Sequence, residues 1–63
     1  MDWERWRRDD GTIDLVKAWR HRQEGSCAFA LTNGIEFLEN IERLHPIKSR
    51  QAAAVALAVA DTL

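Results

Sequence analysis

The most distinctive stretch of apolar residues lies near the C-terminal end of the chain, where Ala52 to Ala60 carry no polar side chain. Alanine favours helix over strand, so the run predicts a helix. Val55 and Val59 share one face of that helix, and Leu57 lies about 160° away from them. A helix with apolar residues on opposite faces has to be covered on both, and this run is shorter than the roughly 20 apolar residues that span a bilayer. We therefore expect a second protein chain to cover part of it.

The preceding sequence has a helical period from Thr12 onwards. Thr12 is a good N-cap, and Gly25 stands where a helix often ends in a glycine. Ser26 can cap the next helix directly, so the connection is short and the two helices are expected to be antiparallel neighbours. The pattern predicts a first helix at about 12–24, with an apolar face formed by Ile13, Leu15, Val16 and Trp19.

Between Ser26 and Leu44 the sequence allows two structures. Asn33-Gly34 between apolar residues is a strong signal for a β-hairpin turn. The helical period nevertheless runs through it without a break and places Gly34 inside the apolar arc, where another helix could approach closely. We expect one helix at about 26–44, in which Phe29 falls with the polar residues and Glu42 falls with the apolar ones.

Two turn signals delimit the remaining elements. Asp9-Asp10-Gly11 separates a possible short N-terminal helical turn from the first long helix. Pro46 ends the second helix and is acceptable in the first turn of the last one, at about 47–62, with Ser49 as a later cap candidate. The predicted fold is all-α and consists of one domain, 1–63. Its three helices form a small antiparallel bundle that follows a short N-terminal helical turn.

The size of the chain argues for self-association. A domain of 63 residues is only marginally stable unless disulfides, a metal or oligomerisation add to its small core. The single cysteine cannot form an internal disulfide. We expect a homodimer with a shared core, in which small residues permit close helix contact. The predicted interface residues are Gly34, Leu38, Val55, Leu57 and Val59.

Charge and cysteine content indicate which partners and which cellular location to expect. Nine basic and ten acidic residues nearly cancel, so no overall field draws the chain to nucleic acid or anionic lipid. A lone thiol fits a reducing compartment, and the first residues, Met1 to Glu4, lack the basic start and apolar stretch of a secretory signal. These features predict a cytoplasmic location without membrane insertion.

The sequence shows no catalytic, cofactor or metal motif. Cys27 could be a reactive thiol in the first turn of its helix, but at the head of an apolar arc it is better explained as a small buried hydrophobe. His21, Cys27 and His45 have spacings that match no compact zinc site, and the three glycines are too far apart to form a phosphate-binding loop. We therefore expect a protein that is not an enzyme and needs no cofactor or metal.

Tryptophan and arginine are concentrated at the N-terminus, and both are typical of protein-interaction hot spots. Trp3 and Trp6 are one turn apart and either close over the core beside Trp19 or, with Arg5 and Arg8, contact a partner protein. Nucleic acid is a weaker candidate here because Asp and Glu residues interleave with the arginines.

Two function classes remain. The first is a non-enzymatic interaction protein, a homodimeric adaptor or inhibitor that masks the surface of an unidentified partner protein. Small helical proteins without motifs are common among bacterial and phage accessory regulators, which makes this a class-level expectation only. The second is a small dimeric nucleic-acid-binding regulator, for which the candidate contacts are Arg5, Arg7, Arg8, Lys17, Arg20 and Arg22.

Overall fold

Three α-helices and one short 3₁₀ helix make up the regular structure of the described part of this chain. The computed structural model describes residues 2–23 and 28–63, with side chains omitted for residues 28–31. Trp3–Trp6 form the 3₁₀ helix, and α1 spans Leu15–Arg22, α2 Ala28–Leu44 and α3 Arg50–Ala60. Within the described residues there is no strand, only an isolated antiparallel bridge between Arg7 and Ile13. The all-α prediction is confirmed, whereas the sites predicted at Gly25, Ser26 and Cys27 lie outside the described residues.

Helix α1 begins later than its sequence predicts. Its N-cap is Asp14, whose carboxylate accepts a hydrogen bond from the Lys17 backbone N–H at 3.1 Å. The prediction of a start at Thr12 is wrong because the Asp10 carboxylate accepts bonds from both the backbone N–H and the hydroxyl of Thr12, at 2.9 and 2.6 Å. Such local side-chain bonds compete with helix formation. The predicted turn before this point is present, and Gly11 adopts the positive φ of 90° that glycine tolerates best.

The helix α2 runs through Asn33 and Gly34 without interruption, which excludes the hairpin. It ends at Leu44, two residues before Pro46, as predicted. Helix α3 starts at Arg50, not at 47, so Pro46 lies outside its first turn. The intervening residues are not helical, and there the Ile47 carbonyl accepts a bond from the Ile13 N–H at 2.7 Å. Ser49 is the N-cap of α3, with its hydroxyl 3.3 Å from the Ala52 N–H.

The core lies where the three helices meet. Trp19 is the largest buried side chain, and Leu38 and Leu57 reach it from α2 and α3 as part of the same cluster. Gly34 is also buried, and a Cβ built on it would collide with the indole of Trp19. The predicted close approach of another helix at Gly34 is therefore confirmed, and the approaching helix is α1 of the same chain. The remaining buried core residues are Ile13, Leu15, Ala18, Ala53, Ala56 and Ala60.

Candidate protein-interaction surfaces

Glu42 connects three parts of the fold through its carboxylate. One oxygen accepts the backbone N–H groups of Leu15 and Val16, at 2.7 and 3.3 Å. These are among the N–H groups that an α-helix cannot satisfy internally at its N-terminus. The other oxygen pairs with the Arg8 guanidinium at 2.9 Å. A polar residue on the apolar arc of α2 is thus explained by its role as a cap for a neighbouring helix.

The charged groups around Glu42 and Arg8 attract one another. The hydrogen bond with Glu42 raises the pKa of Arg8 above its usual value. Arg8 also lies 3.3 Å from Asp14, the N-cap of α1. Two carboxylates therefore stand at the N-terminus of α1, where the helix dipole favours negative charge. The single positive charge of Arg8 is shared between these two carboxylates, so Arg8, Asp14 and Glu42 all serve to hold the fold together.

Substituting Glu42 with alanine tests that role. Loss of the carboxylate leaves two helix N–H groups without their partner and removes the shorter of the two Arg8 ion pairs, and an unsatisfied buried donor costs about 1–3 kcal/mol. We expect the free energy of unfolding, measured by urea denaturation, to fall by about that amount. Glu39→Ala is the matched control because Glu39 is exposed on the same helix, and its expected effect is below about 0.5 kcal/mol. Equal effects for the two variants would contradict the capping role.

Arg7 ties the N-terminal segment to the connection between α2 and α3. Its guanidinium donates to the carbonyls of Gly11 and Lys48, at 2.7 and 2.9 Å, and forms two bonds with Glu4. The Arg7 hydrogen bond holds the pKa of Glu4 below its usual value. The N-terminal segment is consequently anchored by charged bonds as well as by its tryptophans.

The N-terminal residues predicted to contact a partner serve the fold in large part. Trp3 and Trp6 are partly buried and pack against the core cluster. The Trp6 ring lies 5.3 Å from the His21 ring, and the Arg5 guanidinium stands 5.3 Å from the Trp6 centroid. Arg8 is bound to Glu42, as described above. Of the four predicted contacts, Arg5 and Arg8 are exposed, and of these Arg8 is already paired with Glu42.

The basic residues proposed for nucleic acid binding are largely neutralised by neighbours. Arg7 and Arg8 pair with Glu4 and Glu42. Arg22 at the end of α1 pairs with Asp61 at 3.5 Å. Half of the six candidate side chains thus face a carboxylate, which weakens any field that would attract phosphate.

A surface cleft of about 410 Å³ lies beside the Glu42 cluster. Four of its five charged residues, Arg8, Asp10, Glu42 and Arg43, already bond to one another or to neighbouring residues, as Arg43 does to Asn40 at 2.8 Å. Asp10, whose pKa is lowered by its bonds from Thr12, closes one side. The cleft is lined by both acidic and basic residues, and few of their hydrogen-bond donors and acceptors are free to bind a ligand. The residues lining it are Arg8, Asp10, Thr12, Glu39, Glu42, Arg43, Pro46 and Ile47.

Helix α3 presents an uncovered apolar surface. Its inner face is buried at four positions, including Leu57 at 1 % exposure. Its outer face carries Val55 at 63 % and Val59 at 42 % exposure, together with exposed alanines. From Gln51 to Ala60 the helix has no charged side chain. We call the residues Gln51, Ala54, Val55, Ala58, Val59 and Thr62 the α3 outer face.

The predicted dimer residues fall into two groups. Gly34, Leu38 and Leu57 lie in the core of the single chain. Val55 and Val59 lie on the α3 outer face and are open to contact. The structure covers the inner face of the last helix with α1 and α2 of the same chain and leaves its outer face exposed.

Two further kinds of site, a metal centre and a membrane-spanning helix, are not found in the part of the chain that the structure describes. Residues 2–23 and 28–63 contain no cluster of His, Cys, Asp and Glu that could hold a metal ion. Over the same ranges, no helix has the length and hydropathy needed to span a membrane. No family model, characterised protein or solved structure shows detectable similarity to this chain.

Proposed function

We propose that this chain is a non-enzymatic protein–protein interaction module, a small adaptor or inhibitor that acts by binding a partner protein and masking part of its surface. The observation that supports this proposal is the α3 outer face. A single exposed valine is ordinary on a protein surface, whereas a contiguous apolar patch is typical of a contact site. Here Val55 and Val59 lie one turn apart with exposed alanines between and beside them.

Rigidity also favours this surface as a contact site. The inner face of α3 is fixed by Ala53, Ala56, Leu57 and Ala60, all in the core. Its N-terminus is capped by Ser49. Alanine and valine side chains lose little conformational entropy when they are covered. A preorganised helix with small side chains therefore binds another helix or a shallow groove at little cost.

The N-terminal segment is a weaker candidate for the same function. Removal of Trp3 or Trp6 would disturb the core against which both pack. Arg5, which stands over Trp6, remains the group best placed there to extend a contact. We assign the main contact to the α3 outer face for this reason.

The proposal is tested by a pair of variants that each place a charge on an exposed aliphatic residue. Val55→Glu adds it to the α3 outer face, and Leu44→Glu adds it at the end of α2, where the side chain is 67 % exposed. Both variants should stay folded. In affinity capture from a lysate of the source cells, wild type and Leu44→Glu should retain the same discrete protein. Val55→Glu should lose it, because an unpaired charge at an apolar contact costs several kcal/mol.

The circular dichroism spectrum and melting temperature of each variant provide the folding control. A protein retained equally by all three forms would place the contact elsewhere. Failure of wild type to retain any protein above background would contradict the proposed function.

A further inference from the structure

The α3 outer face has a central seam whose spacing suits helix–helix packing. Gln51, Val55 and Ala58 recur along α3 at intervals of four and three residues, and Thr62 follows after four more, in the turn just past the helix end; all four are exposed. This is the spacing by which one helix meets another along its length. On this seam the valine side chain projects from the helix, and the smaller alanine side chain leaves a shallow depression beside it. A copy of the same seam laid in the opposite direction sets each Val55 against the other's Ala58.

Opposite charges lie beside the two ends of the α3 outer face, outside the face itself. Arg50 begins α3 and Asp61 follows its last residue, and both are exposed. At 100° per residue the two lie about 20° apart, on one flank of the seam. When two copies run antiparallel about a two-fold axis, that flank of one copy meets the same flank of the other. Arg50 then lies beside the partner's Asp61 at both ends of the contact.

A parallel arrangement lacks this complementarity. Around a parallel two-fold axis, the flank that carries Arg50 and Asp61 meets the opposite flank of the partner, so the pairing of Arg50 with the partner's Asp61 is lost. The two helix dipoles also point in the same direction, which is repulsive, whereas the antiparallel arrangement opposes them. The face is therefore complementary to itself in one direction only.

We propose that the occupant of the α3 outer face is a second copy of this chain, packed antiparallel across a two-fold axis with Val55 against the partner's Ala58 and Arg50 beside the partner's Asp61. This inference rests on the proposed function in that both require the α3 outer face to bind protein. It goes further by naming the protein and the direction of the helices. Such an isologous contact closes on itself and gives a dimer.

The size of the contact sets the expected strength. The helix α3 has eleven residues and is about 16 Å long at 1.5 Å per residue. One helix of that length covers less than the roughly 800 Å² per partner of a standard interface. The dimer should accordingly be weak and in exchange with monomer at micromolar concentrations. Arg22, which shares Asp61 within the chain, does not block the contact because a carboxylate accepts bonds from two arginines.

The test combines sedimentation equilibrium with a charge exchange. Wild type and Leu44→Glu should show a concentration-dependent mass between 7.2 kDa and twice that value, and Val55→Glu should stay at 7.2 kDa.

Arg50→Glu and Asp61→Arg, each alone, should weaken the dimer roughly tenfold at low salt because two ion pairs become repulsive. The double variant should restore the wild-type dissociation constant, and an equimolar mixture of the two single variants should associate more tightly than either alone. About 0.5 M salt should reduce these differences.

Three results would overturn the inference. The first is a wild-type protein that stays monomeric at 0.5 mM. The second is a dimer that Val55→Glu does not dissociate. The third is a dimer that neither single charge reversal weakens or that the double variant does not restore. If the first occurs while Val55→Glu still loses a lysate protein, the partner is a different protein and the proposed function stands. If Val55→Glu changes neither measurement, both proposals fail.

Discussion

Replacing Gly34 with leucine is expected to prevent stable folding, and even Gly34→Ala should lower the free energy of unfolding. A Cβ at this position meets the indole of Trp19, which is 2 % exposed and cannot move aside. Overpacking of a rigid core costs about 1–3 kcal/mol or more. Helix propensity acts in the opposite direction, because alanine is favoured over glycine by about 1 kcal/mol inside a helix. The steric effect should win for both variants.

Urea denaturation of Gly34→Ala and Glu36→Ala provides the measurement. Glu36 lies on the exposed side of α2, so its substitution should change the free energy of unfolding by less than about 0.5 kcal/mol. Adding Trp19→Leu to Gly34→Ala should reveal a coupling of about 1 kcal/mol or more, because the second substitution removes the ring that the first one strikes. A Gly34→Ala variant more stable than wild type would show that the close approach to Trp19 is wrong.

The second large effect is expected at Leu57. This side chain is only 1 % exposed, because it packs between α3 and the rest of the core. A glutamate there would bury an unpaired charge at a cost of several kcal/mol, which is comparable to the whole stability of a small domain. Leu57→Glu should therefore unfold the protein, whereas Leu57→Ala should fold with a loss of about 2–5 kcal/mol.

Val55→Glu is a matched control in the same helix, two residues away. Because Val55 is 63 % exposed, the Val55→Glu variant should keep the far-ultraviolet circular dichroism spectrum of a folded helical protein. A folded Val55→Glu variant together with an unfolded Leu57→Glu variant would show that position 55 faces outward and that position 57 faces the core. A folded Leu57→Glu variant, or an unfolded Val55→Glu variant, would reverse the assignment of its inner and outer faces.

Periodicity predicted the three helices and the continuity of α2 through Gly34, and both are confirmed. It succeeded at Asn33-Gly34 because the apolar arc continues on both sides, and tertiary packing against Trp19 then outweighs the local turn preference. Element ends were predicted less well. The starts at Thr12 and 47 are wrong because Asp10 binds Thr12 locally and Ile13 pairs with Ile47 across the chain. Contacts between distant segments leave little trace in a local pattern.

The same limit applies to the functional surface. The sequence identified Val55 and Leu57 as lying on opposite faces, but only the packed structure shows which face the chain itself covers. The role of Glu42 was also missed, although its place in an apolar arc was the available signal. A charged residue on a predicted core face calls for a buried partner, and here that partner is the N-terminus of α1.

The most direct test of the central claim is photo-crosslinking from single positions. A photoreactive amino acid placed at position 55 of the α3 outer face should form a covalent adduct with another polypeptide in a lysate of the source cells. The same group at position 44, equally exposed but outside this face, should form none above background. Mass spectrometry of the adduct identifies the occupant, whether a second copy or a different protein. Adducts of equal yield from both positions, or none from position 55, would contradict the account.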